Sequence, residues 1–206
     1  MKGLFKGCLT VPNLLSVIRI ILVPVFAYFY MNGKVAVSIV ILVLSGLSDF
    51  FDGKIARKFN QISELGKLLD PVADKITQIT LALLLYLSFA KANDEMLKTF
   101  SWVFLIFIGK EAFMVIFSVF MLILNLRPCA AEIFGKLATF AFYSIMIVIV
   151  AFGPEIGLLK SVWSLPPVVM MILVVISAIL TIVAFISYIP DTLRQFKKKF
   201  GKESKE

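Results

Sequence analysis

The chain has 206 residues, 60% of them hydrophobic, a formal net charge of +8 and a mean hydropathy of +0.98. A soluble domain of this size cannot bury that much apolar surface, so a soluble globular class is excluded. There is no histidine, which removes imidazole acid–base chemistry, histidine metal sites and phosphohistidine intermediates. The two cysteines, Cys8 and Cys129, are too few and too far apart for a disulfide framework or a thiolate metal site.

Several apolar runs approach the ~20 residues that cross a hydrocarbon layer. The expected fold is all-α: a polytopic integral membrane protein with six transmembrane helices and a short N-terminal interfacial helix. Residues 1–12 carry Lys2 and Lys6 among apolar side chains and fit a helix lying along the headgroups up to Pro12. The opening superficially resembles a signal peptide. Arg19 interrupts its apolar run and no small-x-small site follows, so an uncleaved first span is expected.

Span 1 is expected from about 13 to 30, with Pro24 tolerated inside it, and Asn32-Gly33-Lys34 reads as a tight turn. Span 2 runs from about 35 and its helix continues to Lys58. Residues 60–66 read as a polar connection. Asp70-Pro71 reads as a helix start, Asp at the N-cap and Pro at the first helical position, with span 3 continuing to about 89. Residues 91–98 form a loop of mixed charge. Span 4 covers about 99–126 and holds Lys110-Glu111 near its middle. Span 5 covers about 132–152. Span 6 ends near Pro190, which divides a membrane domain, 1–190, from a basic, partly disordered tail, 191–206.

Six spans put both termini on one side. Fifteen Lys and Arg residues fall on that side and four, Lys34, Lys91, Lys98 and Lys160, on the other. The positive-inside rule makes the terminal side cytoplasmic. The net charge is thereby explained without a nucleic-acid partner.

Four carboxylates stand out against this apolar background. Asp49 and Asp52 are three apart at the end of span 2; Asp70 and Asp74 are four apart at the start of span 3. Each pair shares a helix face, and a short connection between antiparallel helices would bring the faces together. Four like charges at close quarters repel, and ionisable residues near membrane depth usually mark a site. Hard divalent cations with oxygen ligands resolve the repulsion, Mg²⁺ or Mn²⁺. Gly53, Ala56 and Gly66 lie between the acids and leave room for a ligand or for close helix packing. Arg57 is either a phosphate ligand or a cytoplasmic anchor; Lys58 reads as an anchor.

The full pattern is D-x2-D-G-x2-A-R-x8-G-x3-D-x3-D. Its chance occurrence per start position is on the order of 10⁻¹⁰ at ordinary residue frequencies, so the match is specific. It resembles the signature of the CDP-alcohol phosphatidyltransferase family, and the six-span layout extends the resemblance over essentially the whole chain. The resemblance implies transfer of a phosphatidyl group from CDP-diacylglycerol to an alcohol with release of CMP. It implies two divalent ions held by Asp49, Asp52, Asp70 and Asp74, with Asp74 also the general base. It places Asp49, Gly53, Ala56, Arg57, Gly66 and Asp70 around the cytidine diphosphate. It also implies a homodimer.

Asn13, Ser16 and Arg19 in the first span, the segment FGKLLDPVADK in varied form, Gly109-Lys110-Glu111, and Gly135-Lys136 with Thr139 resemble the branch that makes phosphatidylglycerophosphate. That implies glycerol 3-phosphate as acceptor, with Lys110, Lys136 and Arg57 as candidate phosphate ligands and Asn13, Arg19, Glu111 and Thr139 in support. Each has a plainer reading. Lys110-Glu111 is then an internal charge pair, Lys136 an anchor, and Arg19 a snorkelling cation. Phosphatidylglycerol, giving cardiolipin, inositol phosphate and serine stay open as acceptors. A cation transporter is the alternative from another class; it predicts acids spread across the midplane.

Overall fold

The computed structural model describes residues 10–58, 64–124, 133–155 and 157–203, and their side chains except at 12, 49–58, 64–71, 118, 119, 122, 123, 133 and 198–203. Among the described residues all regular structure is helical: α1 Val11–Met31, α2 Val35–Lys58, α3 Glu64–Ala90, α4 Glu95–Phe100, α5 Val103–Ile123, α6 Ile133–Phe152, α7 Pro167–Ser187 and α8 Ile189–Glu203. Five stretches are long and apolar enough to span a membrane: Asn13–Met31, Val72–Ala90, Glu95–Phe117, Phe134–Phe152 and Pro167–Lys197. Val35–Ser48 on α2 is a shorter apolar helix. The expected all-α, polytopic membrane architecture is therefore what the chain adopts.

Local chemistry sets most helix ends. Thr10 caps α1, its hydroxyl accepting from the Asn13 amide at 3.4 Å, with Pro12 in the first turn. Asn32 closes the helix by donating its side-chain amide to the Tyr28 carbonyl at 2.7 Å. Gly33 then takes φ +73°, the left-handed conformation that glycine adopts at little cost. Asp94 caps α4 through the Met96 amide at 2.8 Å. Glu155, from the loop after α6, reaches back to accept from the amides of Asn93 at 3.0 Å and Asp94 at 3.1 Å. This ties together two connections at the end of the bundle remote from Asp74.

Four elements differ from the sequence-based expectation. Asp70 and Pro71 are not a helix start: α3 begins earlier, at Glu64. The good helix formers between Glu64 and Leu69 extend it by more than a turn, and membrane helices accommodate an internal proline. The loop expected over 91–98 is shorter, because Asp94 starts a helix at Glu95. Span 4 is broken at Ser101–Trp102, where the Ser101 hydroxyl donates to the Lys98 carbonyl at 2.7 Å. The tail expected to be partly disordered is helical through Glu203, and Pro190 lies in its first turn. The expected interfacial helix over residues 1–12 falls mostly outside the described residues.

Helix α1 packs on α2 and α3, α3 on α5, and α6 on α7. The shared core contains Phe26, Leu81, Leu85, Phe89, Phe104, Phe107, Phe142, Met146 and Met170. Ring contacts run through it, Phe89 to Phe104 at 5.2 Å and Phe107 to Phe142 at 5.1 Å between centroids, joining α3, α5 and α6. The outward faces are also apolar, as at Ile116 and Ile179, which suits a lipid solvent rather than water.

The Gly33 turn gives a direct test of this account. Nothing lies within 4 Å of a methyl group added there, so backbone conformation alone decides the outcome. Gly33→Val should lower stability by about 1–2 kcal/mol, read as a lower thermal-unfolding midpoint in detergent. Gly33→Asn should lose less, since asparagine visits this region more readily.

Candidate functional site

Helix α3 carries Asp74 just inside its membrane-spanning stretch, which starts at Val72, and its carboxylate is held from two directions. The Tyr143 hydroxyl on α6 donates to Asp74 Oδ1 at 3.0 Å. Gln78, one turn along α3, donates its amide to Oδ2 at 2.8 Å. Lys75 Nζ lies 3.8 Å from the same oxygen. An ionised carboxylate near a hydrocarbon layer is costly unless donors surround it. Here the chain supplies them from two helices.

Lys75 continues the network to α5. Its ammonium lies 2.7 Å from Glu111 Oε2, and Lys110 also pairs with Glu111 through Oε1. Glu111 is 3% exposed, so it depends on both lysines for its charge compensation. The sequence makes Lys75 one more cytoplasmic-side cation; in the fold it turns inward to Glu111. A small cavity opens beside this network between α3, α5, α6 and α7. Gln78, Lys110, Glu111, Thr139 and Thr181 form its polar wall, and Phe107, Ala138 and Phe142 its apolar wall.

The other site residues expected from sequence divide into three groups. Asp49, Asp52, Gly53, Ala56 and Arg57 lie on the last turns of α2, and Gly66 and Asp70 on the first turns of α3. Their side chains lie outside the described residues, so the convergence of the four acids does too. Lys110, Glu111 and Thr139 come together at the cavity, whereas Lys136 is exposed on α6 and does not line it. Asn13, Ser16 and Arg19 are buried along one face of α1, Arg19 only 2% exposed. Arg19 therefore does not snorkel to the surface.

Lys75, Gln78 and Tyr143 are the functional candidates that sequence reasoning missed. Gln78 had a signal, being four residues from Asp74 on one helix face. Tyr143 had a weaker one, being four residues from Thr139. Nothing in the sequence pairs it with Asp74, 69 residues away.

The residues present suit a hard divalent cation. All four acids offer carboxylate oxygens, the donor type that Mg²⁺ and Mn²⁺ prefer. Asp74 Oδ1 accepts from Tyr143 and Oδ2 from Gln78, and a carboxylate oxygen carries more than one lone pair. Among the described residues, which include only Asp74 of the four side chains, no cluster of three potential ligands occurs.

The ion-pair network makes its own prediction. Glu111→Gln leaves Lys75 and Lys110 without their carboxylate and should cost about 3–5 kcal/mol, as loss of one buried partner does. Combining it with Lys110→Met should recover part of that loss. Thermal unfolding in detergent measures both.

Comparison with known proteins agrees with this arrangement. The profile of the CDP-alcohol phosphatidyltransferase family matches residues 9–183. The chain is 32% identical over 193 residues to a CDP-diacylglycerol–glycerol-3-phosphate 3-phosphatidyltransferase of Aquifex aeolicus, covering 93% of this chain and 99% of that protein. It is 35% identical over 138 residues to a cardiolipin synthase (CMP-forming) of Streptomyces coelicolor, 64% of this chain and 60% of that one. A further CDP-diacylglycerol–glycerol-3-phosphate 3-phosphatidyltransferase, from Rickettsia typhi, is 44% identical over 68 residues, 32% of this chain and 38% of that protein. No solved structure matches. With the acid pattern on α2 and α3, the apolar helical fold and a family match over most of its length, the chain belongs to the CDP-alcohol phosphatidyltransferase family and is a CDP-diacylglycerol-dependent phosphatidyltransferase of phospholipid biosynthesis.

Proposed function

We propose that the enzyme transfers the phosphatidyl group of CDP-diacylglycerol to sn-glycerol 3-phosphate, giving phosphatidylglycerophosphate and CMP. The observation that carries this choice of acceptor is the placement of Lys75 and Lys110 beside Asp74. Two cations balance the two carboxylates, Asp74 and Glu111, so these acids impose no net negative charge on an incoming anion, which suits a small phosphorylated alcohol. The relative from Aquifex aeolicus, named for glycerol 3-phosphate and matched over 99% of its length, supports the same reading.

On this reading Asp74 accepts the proton of the acceptor hydroxyl as that oxygen attacks the β-phosphorus of the CDP-lipid. The new phosphorus–oxygen bond forms as the bond to CMP breaks, and CMP leaves. Tyr143 and Gln78 hold the Asp74 carboxylate in one orientation, so the base meets the hydroxyl without searching. Lys110, facing the cavity with Thr139, binds the acceptor phosphate as a point charge. Asp49, Gly53, Ala56, Arg57, Gly66 and Asp70 hold the cytidine diphosphate. Mg²⁺ or Mn²⁺, held by Asp49, Asp52, Asp70 and Asp74, supplies charge neutralisation at the diphosphate when bound. Arg57 and Lys136 stand as further phosphate ligands, Lys136 from the exposed side of α6. The asymmetry of Lys and Arg supports a site and termini on the cytoplasmic side, and the bacterial relatives support a bacterial cell membrane. The homodimer rests on the family resemblance alone.

Phosphatidylglycerol as acceptor, giving cardiolipin, is the second reading. The likeness to the Streptomyces coelicolor cardiolipin synthase favours it. Release of CMP from CDP-diacylglycerol by the purified enzyme decides between the two. Glycerol 3-phosphate should support turnover that phosphatidylglycerol does not; the reverse pattern overturns the first choice. Chelation by EDTA should abolish turnover, and Mg²⁺ or Mn²⁺ should restore it.

Asp74→Asn should keep the fold and lose about 10²–10⁴-fold in CMP release. Tyr143→Phe removes one hydrogen bond to a charged group, worth about 1.5–3 kcal/mol. It should lower kcat by roughly 10–100-fold with little change in KM for CDP-diacylglycerol. An unchanged kcat would show that Tyr143 does not position Asp74.

A further inference from the structure

We propose that α8 lies in the plane of the membrane beside the Asp74 site, its apolar stripe at the acyl–headgroup boundary and its cations on anionic phospholipid headgroups.

The argument begins with length. Helix α7, Pro167–Ser187, has 21 residues and at 1.5 Å per residue already spans the ~30 Å of hydrocarbon. The chain thus reaches the membrane surface near Tyr188. There the helix changes. The Tyr188 amide donates to the Phe185 carbonyl at 3.2 Å, a tighter three-residue turn. Pro190 follows and has no amide to donate to the carbonyl four residues earlier. This is a weak point at which the axis can turn.

Side-chain pattern changes at the same place. On α7 apolar side chains point in every direction. On α8, Ile189, Leu193, Phe196 and Phe200 are spaced i, i+4, i+7 and i+11, which places them on one narrow stripe. The first turn of that stripe is open to the surroundings: Ile189 is 45% and Leu193 55% exposed. A straight extension of α7 into water would leave it wet. Laid against the bilayer, the same stripe meets acyl chains.

Charge selects the partner. Helix α8 carries Arg194, Lys197, Lys198, Lys199 and Lys202 against Asp191 and Glu203. A basic amphipathic helix at a membrane surface is held by anionic lipid as well as by apolar burial. Its position follows from α7. Thr181 on α7 lines the cavity with Gln78, Lys110 and Glu111, and α8 starts eight residues further along the chain, at Ile189, so it begins close to the network that holds Asp74.

Site-directed spin labelling of the full chain tests this. In a background with Cys8→Ser and Cys129→Ser, nitroxides are placed by Leu193→Cys, on the stripe, and Arg194→Cys, on the opposite side. The protein is reconstituted into vesicles of three parts phosphatidylcholine to one part phosphatidylglycerol, and into phosphatidylcholine alone. CMP release in the same vesicles reports the fold, since neither residue belongs to the site. In the mixed vesicles the Leu193 label should sit about 5–10 Å below the headgroup surface, accessible to oxygen and shielded from a water-soluble relaxant, with the Arg194 label aqueous. In phosphatidylcholine alone the Leu193 label should move outward. An aqueous Leu193 label in both vesicles, or dipolar broadening from a second copy on the stripe, overturns the membrane assignment. Equal depth in both vesicles overturns the assignment to anionic lipid.

Discussion

A carboxylate carried toward a hydrocarbon layer has to be given its hydrogen-bond donors by the protein, and much of this fold follows from meeting that requirement for Asp74 and Glu111. Asp74 takes its donors from Gln78 on its own helix and from Tyr143 on α6. Glu111, buried on α5, takes its counter-charges from Lys75 on α3 and Lys110 beside it. These contacts cross-link α3, α5 and α6 at one end of the bundle. Phe89, Phe104, Phe107 and Phe142 pack the same helices further along. Polar specificity and apolar packing therefore choose one register. In lipid, where apolar contact alone discriminates weakly between arrangements, the polar links carry much of that choice.

The same requirement accounts for a phosphatidyltransferase with no histidine. Its proposed base is a carboxylate, and a carboxylate serves as a base best when its orientation is fixed. Tyr143 and Gln78 are neutral donors that orient Asp74, and Lys75 lies closer to Glu111 at 2.7 Å than to Asp74 at 3.8 Å. Glu111 thus draws Lys75 away from the carboxylate and, with Lys110, lines the neighbouring cavity. At the far end of the bundle, Glu155 caps the 91–94 connection and Tyr30 bonds Ser88 at 3.1 Å, contacts that hold helix ends.

What was legible in the sequence was what depends on local pattern. Apolar length gave the membrane helices, the Asn32-Gly33 turn was readable from residue type, and the acid spacing gave the family. Local pattern misled where two local signals competed. Asp70-Pro71 has the chemistry of a helix start, yet the helix formers from Glu64 onward outweighed it. The tail's lysines suggested disorder, yet Ile189, Leu193, Phe196 and Phe200 share a helical stripe that the composition concealed. What depends on tertiary approach was not legible. Lys75 counts in the sequence only as one of the cations on the terminal side, because nothing there brings Glu111 to it, and nothing there brings Tyr143 to Asp74.

On the proposed reading, the acids of α2 and α3 form one metal-binding site that includes Asp74. Anomalous scattering at the manganese edge, from crystals of the enzyme equilibrated with Mn²⁺ and CDP-diacylglycerol, addresses it without relying on activity. The account predicts two peaks bounded by the carboxylates of Asp49, Asp52, Asp70 and Asp74, both absent from the Asp49→Asn/Asp70→Asn variant. Manganese bound away from Asp74, or peaks that persist unchanged in that variant, would contradict it.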